Sequence, residues 1–225
     1  MDLVYPVRCC LCDEFGPDYL CNKCASHIPR PVPEPVCPRC GHHRESLPCS
    51  ECLGDPPFFV AAMAAGEYSG ALQESIHWLK YRDRPMLAEA LGLILATCAR
   101  RNRPALAGLA FDAIVPAPLH GARHRVRGYN QAERIARVLG SEIGVPVRTD
   151  LVRRVRATRP QVGLDGEMRR NNLKAAFRAN ERAVAGLAVL LVDDVSTTGA
   201  TFRECAKVLK TAGAKAVYCL SLAAD

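Results

Sequence analysis

Apolar runs and helical patterns alternate along most of this chain, and the clearest example lies near its C-terminus. Residues 189–192 read Val-Leu-Leu-Val, a run that is typical of a strand buried on both faces of a parallel sheet. Apolar residues then recur at helical spacing between Phe202 and Leu209, and Gly213 is a typical stop for such a helix. Residues 215–220 predict the next strand. This order of strand, loop, helix and strand predicts an α/β fold with a parallel sheet.

The same alternation extends back to residue 58. Further strands are predicted by short apolar segments, namely residues 58–68, 111–116, 145–147, 151–155 and 174–177. Helical patterns begin at Ser69, at Pro85 and within the segment Arg-Gly-Tyr-Asn-Gln of residues 127–131. A polar stretch, residues 156–172, interrupts the pattern. Loops of this length inside a compact domain are usually lids or disordered segments.

The first 55 residues carry a cysteine repeat in place of this alternation. Each unit has two Cys-x2-Cys pairs separated by eight residues, and every cysteine of the first unit recurs 28 residues later. The two quartets are Cys9, Cys12, Cys21 and Cys24, and then Cys37, Cys40, Cys49 and Cys52. Four thiolates from two tight turns form a closed tetrahedral zinc site, so we predict two structural zinc ions bound by successive quartets. A disulfide framework is the alternative that this spacing disfavours.

Charge and hydropathy limit the remaining classes of protein. The net charge of +7 is uneven, since residues 1–55 carry −3 and the remainder carries +10. Any nucleic-acid surface is therefore expected on residues 56–225. No run of 18 apolar residues occurs, and residues 1–8 lack the apolar core of a signal peptide. We expect a cytoplasmic protein without membrane insertion.

Two acids and a run of small hydroxylated residues follow the central apolar run. Asp193 and Asp194 come directly after it, and residues 196–201 read Ser-Thr-Thr-Gly-Ala-Thr. A loop of small residues before a helix exposes backbone N–H groups at the positive end of the helix dipole, which favours an anion. We predict a phosphate site in this loop, with the carboxylates facing vicinal hydroxyls and, indirectly, Mg²⁺. An ordinary N-cap in an α/β unit is the alternative.

The segment VLLVDDVSTTGAT resembles the phosphoribosyl-pyrophosphate (PRPP) motif of type I phosphoribosyltransferases, and the whole chain resembles the ComF family of competence-associated proteins. The resemblance implies a double zinc ribbon over residues 1–55 and a doubly wound, mostly parallel phosphoribosyltransferase-like domain over residues 56–225. It implies that Asp193 and Asp194 contact the ribose hydroxyls of PRPP, which binds with Mg²⁺. The residues implied to hold the 5′-phosphate are Thr197, Thr198, Gly199, Ala200 and Thr201. We add Ser196, which stands where an aliphatic residue is more common.

Three further segments resemble family patterns. Residues 79–82 match a family signature, and Lys80 within it is assigned to a phosphate, with a solvated helix end as an equal alternative. Residues 127–131 follow the segment that corresponds by position to the pyrophosphate loop, so Arg127 is assigned a catalytic role. Residues 156–172 resemble the flexible catalytic loop, and Arg169 in it receives the same assignment. A generic basic surface is the alternative for each arginine.

Three functions are compatible with these assignments. The chain is a PRPP-dependent transferase of unknown acceptor, a module that handles single-stranded DNA during uptake, or a PRPP sensor that docks competence-machinery proteins on its zinc ribbons. Residues 120–182 contain fifteen Lys and Arg against six Asp and Glu, which suits a nucleic-acid backbone and a polyphosphate equally. No residue stands out as a base that activates an acceptor. We therefore predict PRPP binding and a role in DNA uptake, and leave catalytic turnover open.

Overall fold

The computed structural model describes residues 7–9, 11–28, 31–81, 84–101, 110–119, 125, 128–156 and 172–225. The strands in these ranges are β1 (Ala62–Glu67), β2 (Ala113–Pro116), β3 (Val152–Arg154), β4 (Phe177–Ala179), β5 (Ala188–Ser196) and β6 (Ala216–Ala224). The helices are α1 (Asn22–Ala25), α2 (Ser50–Gly54), α3 (Gly70–Tyr81), α4 (Leu87–Arg101), α5 (Gln131–Ile143), α6 (Glu181–Val184) and α7 (Ala200–Thr211). Within these ranges, none of the helices combines the length and apolar character that a bilayer crossing requires.

A four-stranded parallel sheet lies at the centre, in the order β1-β6-β5-β2. The central strands β5 and β6 pair with a constant offset, from Ala188 opposite Ala216 to Ser196 opposite Ala224. Val147 adds a single parallel bridge to Ile114 at the β2 edge. The short strands β3 and β4 form a separate antiparallel pair. The predicted parallel α/β sheet is confirmed.

Helices cover both faces of this sheet, which makes it doubly wound. Leu190 and Val192 of β5 belong to a buried cluster that includes residues of α3, α4 and α5. Their neighbours Val189 and Leu191 belong to a second cluster that includes residues of α7. Successive side chains of a strand point to opposite faces, so a strand buried on both faces needs an unbroken apolar run. The need for apolar side chains on both faces explains the apolar run of residues 189–192, from which the sheet was predicted.

Two helix starts are encoded locally. The side chain of Asn130 accepts a hydrogen bond from Ala132 N at 3.2 Å and caps α5, which ends at Gly144 in the left-handed conformation. Gly199 is the N-cap of α7 and has φ +66°, a value that favours glycine. A three-residue turn, residues 197–199, therefore connects β5 to α7. It is shorter than the six-residue loop predicted from the sequence.

The turn is shorter because β5 extends to Ser196 and because α7 already begins at Ala200. The apolar run ends at residue 192, but pairing with β6 continues to Ser196. Asp193 and Asp194 therefore lie within the strand and not in the loop after it. The prediction was wrong here because the length of a strand depends on its partner as well as on its own apolar residues.

Other strand boundaries differ for the same reason. β1 begins at Ala62 rather than at residue 58, although Val60 N already donates to Val217 O at 2.8 Å. Residues 145–147 and 151–155 take different partners, since Val147 bridges to β2 whereas β3 pairs with β4. β4 begins at Phe177, where the sequence predicted a strand to end. Each shift follows from a pairing partner distant in the chain.

The cysteine repeat is also a structural repeat. The bridge of Arg8 with Phe15 opens the first ribbon (residues 7–28), and the bridge of Val36 with His43 opens the second ribbon (residues 36–54). The second ribbon packs against the sheet edge, where Ala62 N donates to Arg39 O at 2.8 Å. A Cβ at Gly41 would lie 2.4 Å from Ala62 O, so only glycine allows this close approach. The second ribbon thereby covers the outer edge of β1.

Candidate functional site

The turn between β5 and α7 forms a concavity at the carboxyl end of the sheet. Its lining residues are Asp193, Val195, Ser196, Thr197, Thr198, Gly199, Ala200, Thr201 and Phe202. Gly199 provides no side chain that caps the first N–H groups of α7, and the first turn of α7 contains no acidic residue. Backbone donors at the positive end of a helix therefore face this concavity without an acidic residue in the first turn of that helix. The arrangement suits a phosphate group.

The two adjacent acids have different surroundings. Asp194 forms an ion pair with Lys80, with 2.8 Å between Lys80 Nζ and Asp194 Oδ1. Lys80 lies in the last turn of α3, and its side chain is only 19% exposed. Burial by itself would lower the pKa of Lys80, but the charge of Asp194 and the hydrogen bond to it raise that pKa above its ordinary value. The alternative of a solvated helix end at Lys80 is wrong, whereas the assignment of Lys80 to a phosphate stays a prediction, since its partner here is Asp194.

Asp193 projects toward the opposite face of β5, where it lines the concavity. Its Oδ1 accepts a hydrogen bond from Asp194 N at 2.8 Å. Burial, followed by the charge of Asp194, raises the pKa of Asp193 from 3.8 to about 7, although Lys80 and Arg154 act in the opposite direction. Such a carboxyl group changes its protonation state near neutral pH. A raised pKa in a concavity is a common feature of binding and catalytic sites.

Both cysteine quartets have the geometry of a metal site. The four sulfurs of each quartet lie within 4.8 Å of one another, and the quartets are the successive ones that the repeat predicted. A tetrahedral zinc ion with Zn–S bonds of 2.3 Å requires sulfurs separated by about 3.8 Å. The measured separations are 3.7 Å for Cys12 and Cys21 and 3.8 Å for Cys40 and Cys49.

Electrostatics supports the same conclusion. Burial is the largest cause that raises the pKa of Cys40 to about 11, and the neighbouring Cys37 and Cys49 raise it further, since thiolates at this spacing repel one another. A divalent cation at the centre removes that repulsion. Each quartet supplies all four ligands from protein, which is the composition of a structural zinc site. The two four-cysteine groups therefore support two structural zinc ions.

Ser196, which lines the concavity, contacts a residue that no motif in the sequence indicates. His42, which is 2% exposed, places Nε2 3.1 Å from Ser196 O and 3.2 Å from Ser196 Oγ. The two residues are 154 positions apart in the chain. Only its position beside the metal-ligand Cys40 distinguishes His42 in the sequence, and that position does not indicate a contact with the distant loop.

The structure thus brings together Lys80, Asp193, Asp194 and the residues of the β5–α7 turn. Two predicted catalytic residues, Arg127 and Arg169, lie outside the described residues. Residues 157–171 of the predicted catalytic loop also lie outside them.

Comparison with known proteins identifies both parts of the chain. The double zinc ribbon domain family matches residues 1–54, and the phosphoribosyl transferase domain family matches residues 125–225. DNA utilization protein YhgH of Salmonella typhi is 36% identical over 232 residues, which cover 97% of this chain and 98% of the relative. Competence protein F of Haemophilus influenzae is 31% identical, with 91% of this chain and 90% of the relative covered.

A solved structure is also similar to this chain. Glutamine phosphoribosylpyrophosphate (PRPP) amidotransferase from B. subtilis, complexed with ADP and GMP, matches with a TM-score of 0.45 and 17% identity. The match covers 66% of this chain and 30% of that chain. The relatives, in contrast, match almost from end to end. With its zinc ribbons and its phosphoribosyl transferase domain, this chain belongs to the ComF family of competence and DNA utilization proteins.

Proposed function

We propose that this protein binds PRPP, or a closely related phosphoribosyl ligand, together with Mg²⁺ and serves DNA utilization. The observation that carries the proposal is the concavity at the start of α7, where backbone N–H groups face a site lined by Asp193. A 5′-phosphate fits the residues of the turn, and the ribose hydroxyls fit a carboxylate beside them. The phosphoribosyl transferase domain family match supports the same ligand class.

Within this proposal the residues of the site have separate roles. Ser196 and residues 197–201 bind the 5′-phosphate, and Asp193 contacts the ribose. Asp194, which the family resemblance also implied to contact the ribose, lies on the other side of β5, where its Oδ1 is 2.8 Å from Lys80 Nζ. Mg²⁺ supplies charge neutralisation of the pyrophosphate when bound, and water-bridged carboxylates suit this cation. We retain Arg127 and Arg169 as proposed partners of the pyrophosphate, because guanidinium groups match phosphate oxygens.

A matched pair of threonine substitutions tests the proposed phosphate loop, by which we mean residues 196–201. Thr201 is the second residue of α7 and lines the concavity, whereas Thr211 is the exposed last residue of the same helix. Thr201→Asp places a negative charge where the phosphate binds, so we expect the affinity for PRPP to fall at least about a hundredfold. An acid in the first turn favours the helix itself, so the melting temperature should not fall. Isothermal titration calorimetry with PRPP and Mg²⁺ measures the affinity.

Thr211→Asp is the control, because it introduces the same side chain at the end of α7 that is remote from the concavity. It should retain the affinity of the wild-type protein, although an acid at a helix C-terminus is unfavourable for stability. Equal affinities for the wild-type protein and Thr201→Asp would refute phosphate binding at this turn. A wild-type protein that gives no heat with PRPP would refute the proposed ligand.

Direct contact with single-stranded DNA is a second proposed function, favoured by the relatives named for DNA utilization and competence. Residues 120–182 contain fifteen Lys and Arg against six Asp and Glu, a surplus of nine positive charges that suits a nucleic-acid phosphate backbone. We expect binding of a fluorescent single-stranded oligonucleotide to weaken at least about tenfold between 50 and 200 mM salt, because several phosphate contacts release counterions. Fluorescence anisotropy across a salt series measures this, with a duplex of the same sequence for comparison. Absence of binding at the lowest salt would contradict direct contact.

A further inference from the structure

The second ribbon lies directly beneath the phosphate loop. The ring of His42 contacts one end of the turn and lies near the other. Its Nε2 is 3.1 Å from Ser196 O, and a Cβ built on Gly199 would lie 3.7 Å from its Cε1. His42 is only two positions beyond the cysteine at residue 40, so the fold of the second ribbon determines where its ring lies. The ribbon in turn is attached to the sheet edge through Arg39 and Gly41. The turn therefore rests on a side chain that belongs to the zinc module.

A second contact joins the same ribbon to the first turns of α7. The guanidinium of Arg203 donates to Asp55 O at 2.6 Å and approaches Cys52 Sγ at 3.7 Å. Its side chain is 13% exposed, and Asp55 Oδ2 lies 3.3 Å from the same nitrogen. An N–H group that donates to a metal-ligand sulfur is an interaction that orients such ligands. The start of α7 and the turn before it are thus both attached to the second ribbon.

The hydrogen-bond chemistry of His42 has a direct consequence for Ser196. A carbonyl oxygen only accepts, so the contact with Ser196 O requires that Nε2 carries the proton. The same N–H then also faces Ser196 Oγ at 3.2 Å, which accepts. A hydroxyl that accepts from a histidine keeps its own proton available for another acceptor. Because Ser196 lines the concavity, its hydroxyl can donate to an oxygen of a ligand bound there.

We propose that His42 is a positioning residue for the phosphate loop, through which the second zinc ribbon orients Ser196 and the turn toward a phosphoribosyl ligand. This inference rests on the proposed function, since it assumes that the turn binds phosphate. It gives the second ribbon a role in ligand binding in addition to its structural role. The first ribbon has no contact of this kind with residues 196–201 among the side-chain hydrogen bonds of the described part of the chain.

Three histidine variants test the proposal. His42→Leu fills the site but removes the donor, and we expect the affinity for PRPP in the presence of Mg²⁺ to fall about tenfold. His42→Gln places an amide N–H near the position of Nε2, and it should restore the affinity to within about threefold of the wild-type protein. His43→Leu is the control, because His43 is exposed and its Nδ1 contacts Pro33 O, remote from the loop. Calorimetry gives the affinities, and plasma emission spectrometry gives the zinc content of every variant.

The outcomes separate this inference from the proposed function. Wild-type protein that does not bind PRPP refutes the proposed function itself. Wild-type protein that binds, together with a His42→Leu variant of equal affinity and two zinc ions per chain, refutes the positioning role alone. An equal loss in His42→Leu and His42→Gln also refutes it, since the donor would then be irrelevant. If His42→Leu loses zinc, Ser196→Ala decides: a loss of about tenfold supports the proposal, and unchanged affinity overturns it.

Discussion

Lys80→Met is expected to lower the free energy of unfolding by about 3 kcal/mol, because it leaves the carboxylate of Asp194 largely buried without its cation. Asp194 is 8% exposed, and the Lys80 side chain that pairs with it is 19% exposed. The pKa of Lys80 is raised above its ordinary value of 10.5, so the stabilisation that depends on its charge is present at pH 7.5 and is lost as the pH rises through that raised pKa. Urea unfolding at pH 7.5 should therefore give a lower midpoint with an unchanged slope.

Two further variants show whether the ion pair is responsible. Lys207→Met is the matched control, since Lys207 is an exposed residue of α7, and it should change the free energy of unfolding by less than about 0.5 kcal/mol. The double variant Lys80→Met with Asp194→Asn should be more stable than Lys80→Met alone, because no buried charge remains without a partner. Equal losses in Lys80→Met and Lys207→Met would contradict the buried pair.

The elements that the sequence predicted well are the ones whose signals are local. The cysteine repeat fixes both quartets, because the four ligands of each lie within 16 residues of chain. Asn130 caps α5 within the segment from which the start of that helix was predicted. The unbroken run of residues 189–192 predicts a strand buried on both faces. Each of these features depends on residues close together in the sequence, so the pattern alone contains them.

The features that the sequence did not reveal depend on distant partners. The extent of β5 is set by its pairing with β6, which carries the strand past Asp193 and Asp194 to Ser196. The position of Lys80 beside Asp194 joins residues that are 114 positions apart. His42 beneath Ser196 is a contact over 154 positions. Apolar periodicity predicts which side chains are buried but not which polar groups meet at the end of a sheet.

The continuation of β5 separates two acids that appear equivalent in the sequence. Neighbouring residues of a strand point to opposite faces, so Asp194 meets Lys80 while Asp193 faces the phosphate loop. One carboxylate is neutralised within the protein, and the pKa of the other is raised by burial and by its neighbour. A site that accommodates a cation or ribose hydroxyls benefits from a carboxylate whose charge is not already compensated. The same arrangement destabilises the protein when no ligand is bound.

We expect Asp193→Asn to raise the melting temperature at pH 8 by about 5 °C in the absence of added Mg²⁺ and PRPP. The pKa of Asp193 is raised from 3.8 to about 7 in the folded protein, so ionisation favours the unfolded chain. The destabilisation of the wild-type protein by ionised Asp193 is absent below pH 4, grows between pH 4 and pH 7 and is constant above pH 7. One pKa unit corresponds to about 1.4 kcal/mol, and after allowance for solvent screening we expect a gain of about 2 kcal/mol. Asparagine still accepts the hydrogen bond from Asp194 N.

Differential scanning fluorimetry at pH 4.5, 6 and 8 measures this dependence, with Asp150→Asn as the matched control. Arg148 lowers the pKa of Asp150 through a hydrogen bond, so its neutral replacement should leave the melting temperature at pH 8 unchanged or slightly lower, the opposite sign. A gain for Asp193→Asn that is equal at pH 4.5 and pH 8 would contradict the raised pKa, because a change in packing does not depend on pH. We also expect Asp193→Asn to bind PRPP less tightly than the wild-type protein, because the substitution removes the carboxylate that the ligand contacts.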